Sequence, residues 1–161
     1  EDEFRPGTWG VSRWGGAVGR FIQAQNLRFT DLVFIRGSDP FFFANPLRNF
    51  QLLGPTIATD KAYLRAQLIH DFNGAIAAKI PLIKRTRLQF GSGGGILLIE
   101  DGNFAHAELY AGIQYPFRIK YERFKFSVNY VTSYSTNADA LAGQIKFGLT
   151  FYDNRRNRWR Y

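Results

Sequence analysis

The feature that most constrains this chain is a strict alternation of apolar and polar residues in three consecutive stretches near its C-terminus. Between 105 and 117 one set is Ala107, Leu109, Ala111, Ile113, Tyr115 and Phe117, against His106, Glu108, Tyr110, Gly112 and Gln114. Between 122 and 131, Phe124, Phe126, Val128 and Tyr130 oppose Arg123, Lys125, Ser127 and Asn129. Between 141 and 152, Leu141, Ile145, Phe147, Leu149 and Phe151 oppose Gln144, Lys146, Gly148 and Thr150. A period of two is the signature of a β-strand. The runs exceed the usual globular strand of about 5–6 residues and reach the roughly 9–11 that a tilted strand needs to cross a bilayer. The pattern predicts an all-β, antiparallel transmembrane β-barrel with apolar side chains outside and polar ones in the lumen.

Composition narrows the alternatives. The 16 Phe, 8 Tyr and 3 Trp among 161 residues exceed the needs of a small core and suit aromatic girdles at membrane interfaces. No apolar run is long enough for a transmembrane helix; the nearest, 74–83, is interrupted by Lys79 and Pro81. Cysteine is absent, which excludes disulfides and thiolate metal sites. Methionine is absent too, and the start Glu-Asp-Glu-Phe-Arg-Pro has neither a basic n-region nor an apolar h-region. A processed or partial chain is therefore expected. The formal charge of +8, with Arg155, Arg156, Arg158 and Arg160 crowded at the end, suits anionic headgroups or lipopolysaccharide phosphates.

Working back from the C-terminus, strands are expected near 141–152, 122–133, 105–117, 85–99, 61–72, 27–36 and 17–25. An eighth is possible around Thr8 to Trp14. Residues 37–60 read as a long extracellular loop, too apolar at Phe41, Phe42, Phe43, Phe50, Leu52 and Leu53 to lie free. Residues 73–84 read as a periplasmic connector that lies in the interface or packs under the barrel. Gly91, Gly93, Gly94 and Gly95 sit mid-strand, where a bulge or sharp coiling is expected.

The segments Gly37-Ser-Asp-Pro-Phe-Phe-Phe, Phe50-Gln-Leu-Leu, His70-Asp-Phe-Asn-Gly and Lys79-Ile-Pro-Leu-Ile-Lys follow one another in a telling order. With Glu108-Leu-Tyr-Ala-Gly-Ile, Pro116-Phe-Arg-Ile and the closing stretch from Phe147, they resemble the C-terminal region of a Bacteroidota outer-membrane family. That family joins an N-terminal carboxypeptidase-regulatory-like domain to an uncharacterised β-barrel. The resemblance covers about residues 30–161. It implies that the chain supplies seven or eight C-terminal strands of a larger barrel in the bacterial outer membrane.

Chemistry-bearing residues are few. His70 and Asp71 are adjacent, so on a strand they point to opposite faces. His106 and Glu108 share the polar face with Tyr110, and one His with one Glu falls short of the ligands usual at catalytic zinc. No Gly-x-Ser-x-Gly occurs. We therefore expect no catalytic, cofactor-binding or metal residues and no cofactor. The lipid-facing set is Phe124, Phe126, Val128, Tyr130, Ile145, Phe147, Leu149 and Phe151. The lumen network is His106, Glu108, Tyr110, Lys125 and Lys146. Arginine at Ser127 or Thr150, on the lumen side, is expected to be milder than on the lipid side. The expected function is a noncatalytic outer-membrane barrel that transports, anchors or scaffolds. One alternative is a membrane-embedded hydrolase or acyltransferase, in which His70 or His106 meets a Ser or Asp from a distant strand. The other is a soluble barrel binding lipid or nucleic acid, against which the aliphatic faces lack interleaved positive charge. The expected partners are outer-membrane lipid, including lipopolysaccharide, and the remaining part of the same protein or another subunit, not nucleic acid.

Overall fold

Alternation at period two leaves each strand with one face to bury, and neighbouring strands bury theirs on the same side of a shared sheet. The computed structural model describes residues 2–4, 7–20, 31–54, 56–100, 103–136, 142–153 and 158–160. Among them are ten strands: β1 (Asp2–Phe4), β2 (Val11–Gly19), β3 (Val33–Ile35), β4 (Ile57–Thr59), β5 (Tyr63–Asp71), β6 (Gln89–Ile99), β7 (Phe104–Ile119), β8 (Glu122–Ser135), β9 (Ala142–Asp153) and β10 (Arg158–Arg160). Eight form one antiparallel sheet in the order β1-β2-β5-β6-β7-β8-β9-β10, and β3 pairs with β4 in a second sheet. β1 and β10 are not paired with each other, so the sheet is open among the described residues. It nonetheless curls strongly. The Arg13 guanidinium of β2 donates to the Trp159 carbonyl of β10 at 3.4 Å, across the concave side.

β5 to β9 lie where strands are expected, except that β6 begins at Gln89 and residues 85–87 form a turn. The N-terminal expectations need correction. Instead of strands near 8–14 and 17–25 there is one, β2, at 11–19, and residues 21–25 lie outside the described ones. Of the strand expected at 27–36, residues 27–30 lie outside the described ones, and the described part holds β3, which does not join the large sheet. It pairs with β4, which lies within the stretch read as a loop. The reason is packing: Ile35, Phe50, Leu97 and Ile99 form one buried cluster, with Val33, Leu53 and Ile57 against it. Residues 31–60 thus fold into the concavity and supply its apolar filling.

A second cluster completes that filling, in which Phe43 and Leu47 of the folded-in segment meet Ile69, Tyr110 and Val131 of the sheet. The segment also bonds to the backbone of β9. Phe43 N–H donates to the Phe147 carbonyl at 2.7 Å, and Phe147 N–H to the Phe41 carbonyl at 2.9 Å. Part of an otherwise unpaired strand edge is covered in this way. Not all of the segment is buried, for Phe41 and Phe42 remain 68% and 66% exposed. The connector 73–84 forms turns and a single 3-10 turn at Ala77–Lys79, with Ala77 buried and Leu82 exposed.

The glycines of β6 do not make a bulge, since Asp71↔Gly91 through Tyr63↔Ile99 pair without interruption. They make room. A Cβ on Gly93 would lie 2.3 Å from both the Tyr110 hydroxyl and the Leu68 carbonyl, and one on Gly95 would meet Gln67 and Phe50. Gly93→Ala is therefore expected to destabilise the protein by about 1–3 kcal/mol through overpacking. Gly16→Ala, whose nearest contact is the Arg65 carbonyl at 3.4 Å, should be close to neutral. Urea unfolding of both variants checks this; equal stabilities would show that both Tyr110 and the Leu68 backbone yield to the added methyl.

Candidate functional site

The large sheet is amphipathic in the sense opposite to a soluble protein. Its concave face buries Gln67, Asp71, His106, Glu108, Gln114, Lys125, Ser127, Asn129, Ser133, Lys146 and Thr150. Its convex face exposes Trp14, Val18, Leu64, Leu68, Ile96, Leu98, Leu109, Ile113, Phe126, Val128, Tyr130, Ile145, Phe147, Leu149 and Phe151. Leu109 of β7 is 67% exposed, while Lys125 of β8 and Lys146 of β9 are 1% exposed. Continuous apolar surface of this extent marks a contact with something other than water. Of the residues singled out for that face, Phe124 alone is half-buried, its ring stacked on Phe117 at 5.5 Å and edge-on to Phe151 at 5.2 Å. On the convex side an apolar trough of about 950 Å³ is lined by Trp14, Leu68, Ile96, Leu109 and Tyr130 together with Gly94 and Ala107.

The concave face is organised around Glu108. Its carboxylate accepts the Gln51 N–H at 2.6 Å and the Leu52 N–H, and it is 2.8 Å from His106 Nε2. A carboxylate only accepts, so Nε2 carries the hydrogen there; in the neutral ring Nδ1 then accepts from the Ser135 hydroxyl. From β9, the Lys146 ammonium donates to the carbonyls of Gln51 and Asp39. Carboxylate and ammonium thus hold the same backbone turn, one by its N–H groups and the other by its carbonyls. Charge-assisted bonds of this kind are roughly twice as strong as neutral ones.

A second polar cluster lies away from the folded-in segment. Arg13 of β2 pairs with Asp71 of β5, which also accepts from Gln114 Nε2 at 3.0 Å. Lys125 Nζ makes no hydrogen bond among the described residues and lies 4.5 Å from the centre of the Trp159 ring. The expected network therefore divides. His106 and Glu108 meet directly, Lys146 joins them through the backbone turn, Tyr110 donates instead to the Leu68 carbonyl at 3.0 Å, and Lys125 stands apart. Sequence reasoning missed Arg13, Gln51, Asp71 and Gln114, whose partners lie on distant strands and carry no local motif.

Ser127 and Thr150 are 5% and 4% exposed, and the Ser127 hydroxyl accepts from Asn129. The milder effect of arginine expected there does not follow from this geometry, because the concave side is filled at these positions. His70 and Asp71 do point to opposite faces. His70 turns to the convex side, where Nδ1 meets Ser12 Oγ at 2.7 Å and Nε2 the Trp9 carbonyl at 3.2 Å. Among the described residues, no three His, Asp or Glu side chains converge as metal ligands would, and no helix is long and apolar enough to cross a membrane.

Residues 1–113 match the model of a family described as a family of unknown function (DUF5686), C-terminal domain. No curated protein and no solved structure matches the chain.

Proposed function

The chain belongs to this family of unknown function, DUF5686, through its C-terminal domain, and on that premise we propose that it is a noncatalytic β-barrel protein of a bacterial outer membrane with a transport, anchoring or scaffolding role. The observation that carries this reading is the inverted burial of the large sheet. Lysines, carboxylates and amides are inside while Leu109, Tyr130, Ile145 and Phe151 are outside, a distribution that water would oppose and hydrocarbon would favour. Residues 37–60 are then an extracellular segment folded into the barrel mouth, and 73–84 a periplasmic connector. The cell of origin is a member of the Bacteroidota, and the full protein carries a carboxypeptidase-regulatory-like domain ahead of the barrel.

An open sheet edge is costly in hydrocarbon, where each unpaired backbone group costs several kcal/mol. Among the described residues the register of β1 with β2 stops at Trp14, leaving 15–19 without a partner on that side. Strands from the rest of the same protein, or from another subunit, complete the barrel there and along β9, and outer-membrane lipid including lipopolysaccharide covers the convex face. Carbonate extraction of cell envelopes tests the reading. The protein is expected to stay in the membrane pellet and to need detergent for release. Release into the soluble fraction by carbonate alone would overturn it.

The second reading, an embedded hydrolase or acyltransferase, is favoured by one arrangement. His106 lies between Ser135 and Glu108, brought from β8 and β7 into a row. Against it, Glu108 already holds two backbone amides and His106 is 1% exposed, as suits a clamp. Labelling of Ser135 by a fluorophosphonate would favour the enzyme.

A further inference from the structure

We propose that the protein binds a phosphate-bearing anion in the cavity between the folded-in segment and the wall formed by β2 and β5. The cavity holds about 310 Å³ and is lined by three arginines: Arg65 from β5, and Arg36 and Arg48 from the folded-in segment. None of the described residues lining it is acidic. An anion in this cavity is attracted by each of the three arginines that line it. All three are arginine, whose planar fork matches phosphate oxygens two at a time, which a lysine ammonium does not do. The volume lies at the lower end of the range of small-molecule sites, about 300–1,000 Å³. It suits a phosphate with a small substituent.

Two further observations support a built site. Gln67, at the cavity wall, is 5% exposed, so a buried side-chain amide lies beside the arginines with donors to offer. The segment that carries Arg36 and Arg48 is also held in place. Phe50 N–H donates to the Arg36 carbonyl at 3.0 Å, Arg48 N–H to the Asn45 carbonyl at 3.1 Å, and Glu108 grips the next two residues. Groups fixed before the ligand arrives lose little freedom when it binds. This site goes beyond the membrane reading and is independent of it, because it lies between the folded-in segment and the β2–β5 wall and not on the convex face.

The test uses the purified chain in detergent. Inorganic phosphate, titrated calorimetrically at constant ionic strength with chloride as the reference, is expected to bind saturably. Micelles doped with phosphatidic acid form the second arm. Binding of free phosphate identifies a soluble phosphate compound as the ligand, whereas binding only to the doped micelles identifies a lipid headgroup. In either case Arg65→Gln should weaken binding about tenfold or more, and Arg65→Lys by less. A measurement on the unmodified protein removes dependence on the folding of variants. Phosphate, or the doped micelles if they alone bind, should slow phenylglyoxal labelling of Arg36, Arg48 and Arg65 but not of Arg85, which does not line the cavity. Absence of saturable binding in both arms, or labelling of the three arginines unaffected by either probe, would overturn the proposal.

Discussion

Replacing Glu108 by alanine is expected to destabilise the protein by roughly 3–5 kcal/mol, because three donors lose one charged acceptor and each buried donor left unsatisfied costs about 1–3 kcal/mol. The change strips the acceptor from three donors at once: the Gln51 N–H, the Leu52 N–H and His106 Nε2. Gln51 is 1% exposed, so its N–H finds no water in place of the carboxylate. Glu108→Gln keeps one carbonyl acceptor and should lose about half as much, following the difference between charged and neutral hydrogen bonds. Urea unfolding measures the loss, and trypsin reports its location. Arg48 sits on the exposed side of the gripped segment and should be cut much faster in the alanine variant than in the parent. Unchanged cleavage at Arg48 would show that the apolar clusters alone hold the segment.

The second large effect separates hydrocarbon from water on the convex face. Val128→Arg, in the middle of β8, should cost about 2–4 kcal/mol if that face meets lipid near the bilayer midplane. Val128 is 38% exposed, so in water the same change belongs to the class of surface substitutions that shift stability by only about 0.5 kcal/mol. Leu82→Arg supplies the comparison, since Leu82 lies in the connector and is 88% exposed. Folding titrations into lipid vesicles should show a penalty at Val128 and little change at Leu82. Equal values at the two sites would remove the assignment of the convex face to lipid.

Much of the fold could be read from residue order because strand identity is local. The faces of β7, β8 and β9 follow from alternation alone, and Phe126, Val128, Ile145 and Leu149 share one face as the pattern has them. The N-terminal third resisted the same method. β2 reads Val-Ser-Arg-Trp-Gly-Gly-Ala-Val-Gly, whose glycines blur the period and hid its start and end. β3 and β4 are three residues each, too short for periodicity to register, and they exist because Ile35 and Ile57 pack with Phe50 and Leu97. The glycines of β6 were conspicuous in the sequence. Their purpose was not, because the Tyr110 ring that needs the space beside Gly93 comes from the neighbouring strand.

By itself the sequence determined which residues share a face and how long the strands are, since side-chain direction along an extended chain repeats every two residues whatever surrounds it. It therefore also determined that polar and apolar side chains would be separated by the sheet. What fills the concave side was decided only in three dimensions. Glu108 meets Gln51 and Leu52 across more than fifty residues, and Arg36, Arg48 and Arg65 reach one cavity from two separate elements. Such contacts have no spacing in the sequence to betray them. They form because a curled sheet leaves a concavity that its own chain enters, and the buried charges there must find partners on whatever backbone arrives.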